Sequence, residues 1–98
     1  MRYRAAYEGA YGVGTTTTFG ANVWDALLLL EAATPVALAK GRPGTPEFRT
    51  ALRDAIEATK GLKASLGLMS FSPSSHLAYS DNRPLLITVR NGRWALLR

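Results

Sequence analysis

The run "NVWDALLLLEAA", Asn22 to Ala33, constrains the fold more than any other stretch. Val23, Trp24, Ala26 and the four leucines Leu27 to Leu30 leave a helix here almost no polar face. A helix that is apolar nearly all round is buried on more than one side. The chain has 98 residues, one domain at most, so little else is present to cover it. The sequence predicts this main helix from about Ala21 or Asn22 to about Ala33. Pro35 should end or kink it, with "VALAK" adding a further turn. Asp25, Glu31 and Pro35 interrupt the apolar region, which reads as too short and too charged to span a bilayer, so no membrane insertion is expected.

The elements around it follow from local signals. Tyr3 to Tyr11 reads as a short helix stopped by Gly12 and Gly14, and "TTTTFG", Thr15 to Gly20, as a β-branched connector. "TPEFRTALRDAIEATKG" is the clearest helix. Thr45 caps it, Pro46 suits its first position, Glu47 meets the helix dipole and Gly61 stops it. Phe48, Ala51, Leu52, Ala55, Ile56 and Thr59 form its apolar stripe, while Arg49, Arg53, Asp54, Glu57 and Lys60 face water. "LGLMSF", Leu66 to Phe71, is a candidate strand, and Ser72 to Pro84 a loop. "LLITVR-NG-RWALL" carries the Asn-Gly signature of a hairpin. Its register puts Leu85, Ile87, Val89, Trp94 and Leu96 on one face, with Leu86, Thr88, Ala95 and Leu97 opposite.

Composition and motifs exclude more than they assign. Lys and Arg number 12 against 7 Asp and Glu, a net charge of +5, but no basic residues are adjacent, so a nucleic-acid partner is not expected. Cysteine is absent, which removes disulfides and thiolate chemistry. His76 is the only histidine and has no base–nucleophile arrangement around it; Ser74 and Ser75 beside it in sequence do not make one. It reads as a structural loop residue bonding nearby backbone. Asp25 and Glu31 fall on different helix faces, so they are not a carboxylate pair. "EGAYGVG" follows no strand and lacks the Gly-Lys-Ser/Thr ending of a phosphate loop. No catalytic residue, cofactor or metal site is expected. Phe19, Asn22 and Trp24 stand where the Thr-rich connector meets the apolar helix. They serve either as core aromatics and a helix cap, or as ligand contacts.

Taken in order, "YEGAYG", "FGANVWDALLLLEAA", "TPEFRTALRDAIEATKGLKASLG", "GLMSFSPSSH" and the closing "ITVRNGRWALL" resemble the C-terminal portion of a known family. These are the periplasmic substrate-binding proteins of the branched-chain amino-acid ABC transporter class. The likeness spans nearly the whole chain, departing at "LKASLG", where relatives often carry a Gly-rich turn. It implies an α/β fold: a fragment of a type I periplasmic-binding-protein fold, with helices followed by a strand and a C-terminal β-hairpin. Residues 1–98 would form a single partial domain, with 1–80 a first-lobe segment and 81–98 the crossover and hairpin.

The implied function is the truncated, non-enzymatic substrate-binding component of a transporter for amino acids or related small carboxylates or amides. The alternative is a stand-alone basic oligomerisation module derived from that fold. Asn22 would line the ligand cleft just ahead of Trp24, with Phe19 nearby. A small-molecule ligand and an ABC permease are expected partners only in the full-length context. The uncovered apolar helix predicts a homodimer. The resemblance implies a periplasmic location; the opening "MRYRAAYEGAYG" lacks the apolar stretch of a signal peptide, which predicts a cytoplasmic chain as it stands.

Overall fold

The structure, a computed structural model, describes residues 2–79 and 85–97. Helix α1 spans Arg2–Tyr11, α2 Thr18–Leu38 and α3 Pro46–Glu57. Two antiparallel hairpins follow, β1 Leu62–Lys63 with β2 Leu68–Met69 and β3 Ile87–Arg90 with β4 Arg93–Leu96.

Helix α2 is longer at both ends than the sequence predicts. Its cap is Thr17, whose Oγ1 accepts from Gly20 N at 3.1 Å, so the β-branched connector ends inside the helix and Asn22 lies within it. At the other end α2 continues through Pro35. A proline there removes one intrahelical hydrogen bond and disfavours the helical conformation of Thr34. The offsetting term is tertiary: Ala33 and Ala37 flank Pro35 and are both buried, while the proline faces outward. At 21 residues α2 is long and apolar enough to cross a bilayer by length and composition, contrary to the shorter helix expected. Within it, Asp25 bonds to groups of the same chain, as described below.

One row of α2 faces inward. Ala21, Asp25, Ala33 and Ala37 repeat at multiples of four and are buried. Helix α2 packs principally on α3. Helix α3 has the predicted cap, Phe48 N donating to Thr45 Oγ1 at 3.2 Å, and the predicted stripe is buried or half-buried throughout. It ends at Glu57, one turn before Gly61. The opposite face of α2 is uncovered: Phe19, Val23, Leu27 and Leu30 are exposed among the described residues. The demand for burial on more than one side is therefore unmet.

The β1–β2 hairpin is absent from the expected order of elements, and the "LGLMSF" strand contracts to Leu68–Met69. The β3–β4 register is the expected one, pairing Ile87 with Leu96, Thr88 with Ala95 and Val89 with Trp94. Leu85, Ile87, Val89, Trp94 and Leu96 on one face and Leu86 and Leu97 on the other are all more than half exposed. The expected boundary at 80/81 and the end of the long loop lie outside the described residues. The molecule measures 54 × 33 × 18 Å with a radius of gyration of 17.0 Å. A closed domain of this length would have about 13 Å. The elements do not close on a single core.

Two glycines are required where they stand. A Cβ on Gly41 would lie 2.6 Å from Phe48 N, against the backbone of the first turn of α3. Gly41→Ala should therefore lower stability by about 1–3 kcal/mol, the scale of forced overpacking, measured by urea unfolding. Asn91 and Gly92 have φ of 51° and 72°, the positive pair of a type I′ turn. A β-branched residue in that conformation costs at least ~1 kcal/mol. Gly92→Val should raise hydrogen exchange of the β3–β4 ladder amides at least about fivefold; unchanged exchange would mean the turn tolerates the substitution.

Candidate functional site

Phe19 and Asn22 are one helical turn apart on α2 and share the exposed face with Val23. Phe19 is 82% exposed. Trp24 is turned away from them. Its ring packs on Tyr3 of α1 with centroids 5.8 Å apart, in the tilted geometry favoured by aromatic pairs. The structure thus separates the three sequence candidates: Phe19 and Asn22 present an apolar ring and a neutral amide outward, while Trp24 is half-buried behind them. Asn22 does not cap the helix, and Trp24 alone fits the core-aromatic alternative.

Trp24 also walls a cavity of about 310 Å³ that Arg2, Tyr3, Leu28 and Lys63 to Ser65 complete. Tyr3 is buried, and its hydroxyl has no hydrogen-bond partner among the described residues. It presses on Gly20, where a Cβ would lie 2.0 Å from the oxygen. Glu8 of α1 ties the helix to the connector that leads into α2, accepting from Arg4 Nε at 3.0 Å, Gly14 N at 3.1 Å and Thr16 Oγ1 at 3.2 Å. The Gly14 amide, followed by Arg4, lowers the Glu8 pKa from the ordinary glutamate value.

The strongest polar feature was not among the sequence candidates. Asp25 is 2% exposed. Its Oδ1 accepts from Ser65 N at 2.7 Å and its Oδ2 from the Tyr79 hydroxyl at 2.6 Å. A buried carboxylate is costly without partners, so the single acidic residue among the apolar positions of early α2 was the available signal. Burial first, and then the hydrogen bond to Asp25, raise the Tyr79 pKa, because a phenolate beside a carboxylate is disfavoured. His76 also departs from expectation. Its Nε2 lies 3.0 Å from Glu57 Oε1 on α3, rather than bonding nearby backbone, and Glu57 is half-buried instead of facing water. Among the described residues no group of His, Asp and Glu is arranged to hold a metal.

Phe19 and Asn22 thus put an aromatic ring and a neutral amide on the open face of a capped helix. In sequence and fold the chain matches a segment of extracellular ligand-binding receptors, and its fold is that of a piece of a periplasmic binding protein. One such receptor, from Rhodopseudomonas palustris HaA2, is 42% identical over 98% of this chain, with a TM-score of 0.79. Another from the same strain is 37% identical over 96%, with a TM-score of 0.81. A third, from R. palustris, is 38% identical over 95%, with a TM-score of 0.80. The chain spans only 26–27% of the length of these receptors. No protein-family model and no curated protein matches it. The neighbours are extracellular and lend no support to a cytoplasmic placement.

The Asp25 anchor makes a testable prediction. Tyr79→Phe should cost about 1.5–3 kcal/mol, the worth of a hydrogen bond to a charged group. The raised phenol pKa gives a contribution fully present below the ordinary tyrosine value and lost as pH rises through the higher folded value. The stability difference between wild type and Tyr79→Phe, followed by urea unfolding at neutral and strongly alkaline pH, should therefore shrink in alkali. A difference independent of pH would remove Tyr79 as the donor.

Proposed function

We propose that this chain is the C-terminal segment of the substrate-binding component of an ABC transporter for amino acids or related small carboxylates or amides. One observation carries the reading: nearly all of the chain aligns with about a quarter of an extracellular receptor, while its α2 stripe and both β3–β4 faces lie open. Such faces suit a polypeptide whose remainder would cover them. Residues 1–80 then belong to a first lobe, and 81–98 to a crossover and closing hairpin. Phe19 and Asn22 face the ligand cleft, the amide donating to a carboxylate or carbonyl, and Trp24 supports them from behind. The role is binding without catalysis, in the periplasm, with a permease as partner of the complete receptor.

The open apolar faces favour a second reading for the chain by itself, a homodimer. Large apolar side chains exposed together on α2 and on β3–β4 suit burial against a second copy, and two-fold pairing is the commonest closed solution. That assembly would equally serve a stand-alone oligomerisation module. Light scattering should then give more than the chain mass of 10.6 kDa; a concentration-independent monomer would overturn it.

The first reading is tested by complementation. The chain alone should show no micromolar affinity for branched-chain or aromatic amino acids in calorimetry, because most of a two-lobed site would be missing. Co-refolding with the R. palustris HaA2 receptor shortened by its matching quarter should restore a soluble complex. Asn22→Ala should weaken any ligand binding of that complex by about tenfold, the value of one polar contact. Micromolar binding by the isolated chain, or failure of the two pieces to associate, would contradict the proposal.

A further inference from the structure

A groove on α3 remains outside everything assigned above. Leu52 and Ile56 from α3 and Phe71 from the segment after β2 form its floor. Arg49 and Arg53, one turn apart on α3, stand along one rim, and the Glu57–His76 pair closes the far side. The cavity is about 470 Å³, within the roughly 300–1,000 Å³ of ligand pockets. None of Phe19, Asn22 and Trp24 lines it.

The charges on this rim are unequal. The Arg53 guanidinium is engaged by Asp54 at 2.6 Å, and Glu57 is engaged by His76. Arg49 donates only to the Gly44 carbonyl, at 3.3 Å, and no carboxylate pairs with it among the described residues. A guanidinium with free N–H groups beside an apolar floor recognises a carboxylate by two parallel hydrogen bonds. The floor of Leu52, Ile56 and Phe71 offers carbon contacts alone, while the polar groups of Arg53, Glu57 and His76 on the rim are engaged with partners of their own. The groove is also built by local connections. Phe71 is buried and its carbonyl accepts from Lys60 Nζ, its amide donates to Thr59 O at 2.9 Å, and paired Ser72–Ser75 contacts turn the chain toward His76.

The geometry points to a second ligand site, distinct from the α2 face, that takes a small amphiphilic carboxylate: its carboxylate on Arg49, its apolar body over Leu52, Ile56 and Phe71. The site needs nothing from the missing part of a receptor, so it is present in the chain as it stands.

The test is an NMR titration of the 98-residue chain with octanoate, with octylammonium and octanol as matched probes of opposite and no charge. Octanoate should shift the signals of Arg49, Leu52, Ile56, Phe71 and His76 and leave Phe19 and Asn22 unmoved. Octanol should bind at least about tenfold more weakly, the scale of a charge-assisted pair. Arg49→Glu, at an exposed position, should abolish octanoate binding and create binding of octylammonium. Leu52→Asn should weaken octanoate and octanol alike, separating the floor from the rim. Equal binding of all three probes, shifts confined to α2 or the β3–β4 hairpin, or octanoate binding unchanged in Arg49→Glu would overturn the site. Because the proposed contacts are all on α3 and its neighbours, loss of this site leaves the cleft assignment of Phe19 and Asn22 untouched.

Discussion

The Asp25 carboxylate is the contact on which the arrangement of this chain depends. Among the described residues it has no basic partner and is held instead by a backbone amide and a phenol. Each donor comes from far along the chain, Ser65 from the β1–β2 turn and Tyr79 from the last residue described before the C-terminal hairpin. A buried charge whose partners are removed is strongly destabilising. That penalty fixes the rotation of α2 about its own axis. With Asp25 inward, Ala21, Ala33 and Ala37 share its row and meet the rest of the body, and Phe19, Val23, Leu27 and Leu30 are carried outward.

The consequence is a structure that leaves much of its apolar surface uncovered. Its buried apolar residues are few and mostly small: three alanines of α2, one of α3, and Tyr3, Met69 and Phe71. The larger side chains of α2 and of β3–β4 stay outside, and the dimensions are those of an open assembly of elements. Under the proposed function, these open faces are the ones that the remainder of a receptor would cover. Phe19 and Asn22 lie on that open surface, whereas the α3 groove is assembled wholly from residues within the piece.

Features governed by neighbours in the chain were legible. The Thr45 cap with Pro46, the stripe of α3 and the type I′ turn at Asn91-Gly92 each rest on a few adjacent residues whose preferences agree. The continuation of α2 through Pro35 was not legible, because local preference argues against it and only the burial of Ala33 and Ala37 outweighs it. The β1–β2 hairpin has too few residues for a periodic signal. The Glu57–His76 pair joins groups 19 residues apart, which no local spacing announces. Phe19, Asn22 and Trp24 were identifiable as a cluster in sequence, but their division between an exposed face and the contact with Tyr3 follows from the rotation of α2.

The sequence by itself determined the parts: one helix too apolar to stand alone, one amphipathic helix and a two-faced apolar hairpin. The family resemblance rested on the same segments. Those conclusions come from residue type and order, which act locally. Only the tertiary structure decided which side of α2 is hidden, that Asp25 is the hinge of its packing, and that α3 and Phe71 enclose a groove under Arg49. Each of these depends on groups brought together from distant parts of the chain, and their energies exist only once the backbone has placed them within reach.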